Sequence, residues 1–203
     1  MPSPTRPRSS LAPRPAAGAT ALILLDLISD WTFPDAEKLL PQALSIVDAV
    51  AALKTRCRRS GVPILYGNDN QGRWRSDFRQ VVSSSLAAGG GGARITAALA
   101  PHDDDYFVLK PKHSAFFGTP LDLLLQHLGV RRLLLAGVAS DQCVVATAID
   151  ARMRDYEVVV AGDCVASQSR GRNQRALTHF EAALAVPVMK GARIRLPRAR
   201  KAR

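Results

Sequence analysis

The sequence predicts an α/β domain in three layers, with helices on both faces of a six-stranded, mainly parallel sheet. Short apolar runs alternate along the chain with longer stretches that are apolar at helical spacing. Those runs are apolar at consecutive positions rather than at every second one, as strands covered on both faces must be. A length of 203 residues with 47% hydrophobic content suits one domain with a sizeable core.

Each element follows from local pattern. Thr20 to Leu25 reads as a first strand ending at Asp26. Ala36 to Ser60 reads as a long amphipathic helix, with Leu39, Leu40, Ala43, Ile46, Val47, Val50 and Leu53 on one face and Gly61 stopping it. Val62 to Tyr66 is a second strand, Gly67 to Asp77 a polar stretch, and Arg75 to Leu86 a short helix. Gly89 to Gly92 reads as a flexible loop; no Lys-Ser/Thr follows it, so it is not a phosphate cradle. Tyr106 to Leu109 is a third strand ending at Lys110, and Pro120 to Leu128 a helix with Pro in its first turn and Gly129 after its end. Leu133 to Ala136 is the fourth strand, followed by a helix with Ser140 or Asp141 as N-cap. Glu157 to Val160, a helix over Asn173 to Leu184 and a weak strand over Val186 to Met189 complete the domain.

The formal charge of +11 resides in the two ends of the chain. Three arginines precede residue 20 and seven basic residues follow Met189, with no acid in either stretch, which leaves +1 for the body. This divides the chain into a disordered basic, Pro-rich extension over 1–19, a globular domain over 20–189 and a basic tail over 190–203. Such ends can hold nucleic acid non-specifically, but a solvated extension is the reading preferred. No apolar stretch approaches the ~20 residues that span a bilayer, and the N-terminus lacks the apolar segment of a secretory signal. Three cysteines without paired spacing fit unbridged thiols in a reducing, cytoplasmic setting.

In parallel sheets chemistry collects at the carboxyl ends of the strands. Asp26 ends the first strand, Lys110 the third, and Cys143 follows the fourth. A cysteine in a first helical turn meets free backbone N–H groups and the positive end of the helix dipole, which favour the nucleophilic thiolate; a small buried apolar cysteine is the competing reading. Cys57 on the long helix reads as packing, Cys164 lies near the same edge without an assigned role, and His102 to Asp105 reads as a solvated acidic loop.

Three stretches, ALILLDLISDW, VLKPKHSAFFGT and LAGVASDQCVVATAIDA, resemble the isochorismatase-like cysteine hydrolases, and the likeness runs from about Ala21 to Ala185. The resemblance implies a Rossmann-like sheet of order 3-2-1-4-5-6 and a catalytic triad of Asp26, Lys110 and Cys143. It also implies a cis peptide at Val138-Ala139, aiming the Ala139 and Cys143 N–H groups at a developing oxyanion. Two positions depart from the family pattern: Ser140 stands for the usual Thr, and Lys112-His113 for the common Arg-Tyr. Nicotinamidases of the family hold a divalent metal through an Asp-x-His pair and a further His; Asn68-Asp69-Asn70 has no His, so no metal and no cofactor are expected. Family members that cleave isochorismate lack the cysteine, so Cys143 points to cleavage of an amide, carbamate or ureide C–N bond.

The expected mechanism is acyl transfer in two steps, with Asp26 as base, acid and water activator, Lys110 holding the carboxylate and thiolate in register, and Cys143 as nucleophile. Trp31, Phe33, Trp74 and Phe117 are expected to line the substrate pocket, while Asn68, Arg73 and Arg75 fix a polar end. The expected partners are a small-molecule substrate and, since family members are commonly dimers or tetramers, further copies of this chain. A non-catalytic binding protein of the same fold and a basic-tailed nucleic-acid-associated protein remain the competing functional classes.

Overall fold

The structure is a computed structural model that describes residues 19–72, 74 and 77–197. The extension expected over 1–19 therefore lies outside the described residues except for Ala19, and so do Arg73 and Arg75.

Six strands form one sheet in the order β3-β2-β1-β4-β5-β6, every pair of neighbours parallel. They are β1 (Ala19–Leu25), β2 (Ile64–Asp69), β3 (Tyr106–Lys110), β4 (Val130–Val138), β5 (Glu157–Ala166) and β6 (Val188–Met189). The helices are α1 (Ala36–Arg59), α2 (Phe78–Ala88), α3 (Gly90–Ala98), α4 (Leu121–His127), α5 (Val145–Arg152) and α6 (Arg170–Ala182). β1 and β4 lie at the centre, and their apolar runs are buried on both faces: Leu22 and Leu24 point into one core cluster with α1, Ile23 and Leu25 into the other with α4 and α5. The order change between β1 and β4 makes the switch point at which α/β sheets open a crevice.

Gly137 is what lets β4 pass its neighbour there. Its φ is +121°, and a Cβ on it would stand 2.1 Å from the Leu25 carbonyl oxygen, so only glycine fits beside the last residue of β1.

Several expectations need correction. Gly89 to Gly92 is not a loop but the start of α3, because the missing side chains let this helix approach α1 and Trp31; a Cβ on Gly92 would lie 2.3 Å from the Trp31 ring. Burial of Ile95 and Leu99 outweighs the poor helix propensity of glycine. α2 starts at Phe78, with the Asp77 side chain accepting the Gln80 N–H at 2.9 Å, and α6 starts at Arg170 with Ser169 as its cap. The basic tail does not begin at residue 190: Ile194 is buried, the Gly191 N–H donates to Asp163 at 2.6 Å, and the Arg56 guanidinium donates to the Ile194 carbonyl at 3.0 Å. Asp105 is not a solvated acid either, since its carboxylate takes two hydrogen bonds from Arg58, at 2.7 and 2.8 Å, and ties the turn before β3 to α1.

Gly137→Ala should destabilise the fold by roughly 3 kcal/mol, from left-handed strain plus the clash at the centre of the sheet. Urea unfolding checks this, and wild-type stability in the variant would refute the role given to Gly137.

Candidate active site

The carboxyl ends of β1, β3 and β4 bring three side chains into contact. Asp26 leaves β1 in a left-handed conformation, φ 52°, which its short polar side chain tolerates. Its N–H donates to the Gly67 carbonyl, and its Oδ1 accepts the Asp69 N–H at 2.8 Å, so the end of β2 orients the carboxylate. Lys110 is the last residue of β3 and is fully buried, not a surface lysine. Its Nζ lies 2.9 Å from Asp26 Oδ2, 3.4 Å from Cys143 Sγ and 3.9 Å from Asp69 Oδ2, and it donates to the Lys112 carbonyl at 3.3 Å.

Cys143 does not sit in the first turn of an α-helix. It lies in a π-helical turn, Ser140–Val144, that runs into α5, and neither Ser140 nor Asp141 caps it. Ser140 Oγ is enclosed without a hydrogen-bond partner among the described residues. Asp141 instead accepts hydrogen bonds from Ser167 Oγ and, at 2.7 Å, from Arg172 Nε, which ties the turn carrying the cysteine to the end of β5 and to α6. These bonds outweigh burial and hold the Asp141 carboxyl below its usual range. The peptide bond Val138-Ala139, just before the turn, is cis.

The electrostatics reverse one expectation. Burial, followed by the adjacent Asp26 carboxylate, raises the Cys143 thiol above the ordinary range, and Lys110 only partly counters them. The resting sulfur is therefore a thiol. Burial disfavours the Lys110 ammonium, but the Asp26 carboxylate, by charge and hydrogen bond, and Asp69 behind it favour the charged form, and the net shift is upward. Site geometry thus supplies a buried cation in contact with a carboxylate and a neutral thiol.

A cavity of about 520 Å³ opens on this cluster. Asp26, Cys143, Val138 and Ala139 line it, together with Phe33 and Asn68 from the expected binding set. Asn68 is partly committed, since its Nδ2 donates to the Ile28 carbonyl at 2.6 Å. Trp31 is not in the lining: it is buried against Phe33, with ring centroids 5.7 Å apart. Trp74 and Phe117 are exposed and also lie outside the lining, while Arg75 and Arg73 are outside the described residues. Long-range folding decided these positions, because an aromatic in a loop carries no local signal of which side it faces. Conversely, the lining includes His113, Asp69, Gln142 and Gln168, to which the sequence reading assigned no function. His113 Nδ1 is 3.5 Å from Cys143 Sγ; its place three residues after Lys110 was the available signal. Among the described residues no group of three His, Cys, Asp or Glu side chains is arranged to hold a metal.

A family model described as the isochorismatase domain matches residues 20–192. The chain belongs to the isochorismatase family. It is 38% identical over 161 residues to the uncharacterized isochorismatase family protein YaaI of Bacillus subtilis (strain 168), covering 79% of this chain and 88% of that one. It is 32% identical to a probable inactive nicotinamidase of Arabidopsis thaliana, over 73% of this chain and 81% of that one, and 28% identical to maleamate amidohydrolase of Pseudomonas putida, over 71% of each. Among solved structures, an isochorismatase-like hydrolase from Alkaliphilus metalliredigens superposes with a TM-score of 0.70 at 24% identity, covering 86% of this chain and 96% of that one, which shows the shared fold.

Because the Cys143 thiol is raised, its reaction with iodoacetamide should still be accelerating with pH above about 9.5, where an ordinary thiol of pKa about 8.5 has levelled off. Cys57 and Cys164 are wholly enclosed and should react later than Cys143, which retains 8% exposure. Peptide mapping of the alkylated protein checks both statements. A rate that levels off below pH 8 would show a stabilised thiolate instead.

Proposed function

We propose that the protein is a cysteine-dependent amidohydrolase that cleaves a small amide, carbamate or ureide C–N bond through a thioester on Cys143. The observation that carries this reading is the buried Lys110 ammonium, 2.9 Å from the Asp26 carboxylate and 3.4 Å from Cys143 Sγ, the two groups of the cluster that line the cavity. A merely structural lysine would not need a thiol and a carboxylate together at a cavity wall. The volume of about 520 Å³ fits a small molecule. Relatedness to an amidohydrolase supports the same bond class.

In the proposed reaction Asp26 takes the proton of the neutral thiol as Cys143 attacks the carbonyl carbon, and Lys110 stabilises charge on both groups. The N–H groups of Ala139 and Cys143 serve as donors to the oxyanion. Expulsion of the amine requires a proton on its nitrogen, and hydrolysis of the thioester then requires removal of a proton from water. No step passes through a metal, since Asn68-Asp69-Asn70 offers no histidine. A second reading, a binding protein without turnover, is favoured by the likeness to a relative named as probably inactive. Retention of carboxylate, ammonium and thiol in mutual contact favours the enzyme.

Ammonia release from a panel of small amides, carbamates and ureides tests the choice. Cys143→Ala should abolish turnover and leave the fold intact, Asp26→Asn should lower it about 100-fold or more, and Lys110→Ala should remove most of it. Activity retained in Cys143→Ala would end the covalent mechanism. Turnover should also survive exhaustive chelation; loss with chelator, restored by zinc or iron, would reopen a metal mechanism.

A further inference from the structure

The scheme above needs four proton transfers, off the thiol, onto the leaving nitrogen, off water and back onto the sulfur, and Asp26 is held in a way that suits the two at sulfur. Its Oδ1 takes the Asp69 N–H at 2.8 Å and its Oδ2 faces Lys110 Nζ at 2.9 Å, which fixes the carboxylate beside the ammonium that Cys143 shares. A second titratable group touches the nucleophile. His113 Nδ1 lies 3.5 Å from Cys143 Sγ, His113 lines the same cavity, and it is exposed to solvent, whereas Cys143 is 8% exposed and Lys110 fully buried. An imidazole so placed is within hydrogen-bond reach of atoms attached to a carbonyl carbon bonded to that sulfur. It also stands where water reaches the site.

We propose that His113 is the second acid–base group of this site, protonating the leaving nitrogen and then activating the hydrolytic water. The inference rests on the thioester reading given above. In the first step the thiol proton moves to Asp26, the S–C bond forms, the imidazolium gives its Nδ1 proton to the nitrogen, and the C–N bond breaks. In the second, neutral His113 takes a proton from water, the hydroxide adds to the thioester carbon, the C–S bond breaks, and Asp26 returns its proton to the sulfur. The sum is amide plus water to acid plus amine, with Asp26, His113 and Cys143 back in their starting forms.

The division of labour is testable with p-nitrophenyl acetate, because nitrophenolate leaves without needing a proton. In His113→Ala the burst of nitrophenolate that reports acetylation of Cys143 should stay within about threefold of wild type, while deacetylation slows about 100-fold, the effect of losing one general base. Acetyl-Cys143 should then accumulate in the mass spectrum, and added imidazole should restore its hydrolysis. His113→Gln should behave as the alanine variant without rescue, since its side chain fills the site but does not titrate; His113 is exposed, so both variants should keep the wild-type unfolding midpoint. Asp26→Asn should slow the burst itself. Deacetylation at the wild-type rate in His113→Ala would overturn the proposal, as would a burst that falls in step with turnover, which would place His113 on the thiol instead. Failure of wild-type protein to form acetyl-Cys143 is a different outcome: it would overturn the thioester reading, and the role of His113 with it.

Discussion

A buried ammonium organises this molecule. Lys110 is fully enclosed, and placing a charge there costs several kcal/mol unless its protons are met. The structure meets them from four directions: the Asp26 carboxylate after β1, Asp69 at the end of β2, the Lys112 carbonyl just beyond β3, and the Cys143 sulfur beyond β4. Each acceptor comes from a different strand end. The ammonium is therefore satisfied only when four neighbouring strands are in register, which couples the chemistry of the site to the pairing of the sheet.

The same arrangement explains why the thiol rests protonated. Two carboxylates already stand against one buried ammonium, so a thiolate would add a further negative charge beside Asp26 in a poorly solvated place. Lys110 Nζ stands 2.9 Å from Asp26 Oδ2 and 3.4 Å from the sulfur, and its charge is already paired with the carboxylate. A nucleophile in this setting becomes reactive by losing its proton to a neighbour during attack rather than by standing ionised beforehand.

Around this centre the backbone does the aiming. Gly137 lets β4 run against the last residue of β1, and the π-helical turn after the Val138-Ala139 peptide presents Cys143 to the cavity. Asp141, anchored to Ser167 and Arg172, keeps that turn against β5 and α6. The far half of the sheet thus serves the nucleophile, and the near half serves the carboxylate and the ammonium.

The alternation of apolar runs with amphipathic stretches determined the α/β class and the parallel sheet without help from tertiary contacts, because burial on both faces imprints itself on every residue of a strand. The positions of Asp26, Lys110 and Cys143 at strand ends were legible for the same reason, and the stretches around them carried the family. What the sequence did not show was anything set by contacts between distant residues. The glycine run became a helix because Trp31 and α1 needed its backbone close. Residues after Met189 joined the body because Asp163 and Arg56 bind them. Of the aromatic residues expected around the substrate, Phe33 reached the cavity while Trp31, Trp74 and Phe117 did not, and His113 reached the sulfur without a local pattern requiring it. Periodicity records which face of an element is buried; which loop side chain faces which cavity is settled only when elements far apart in sequence meet.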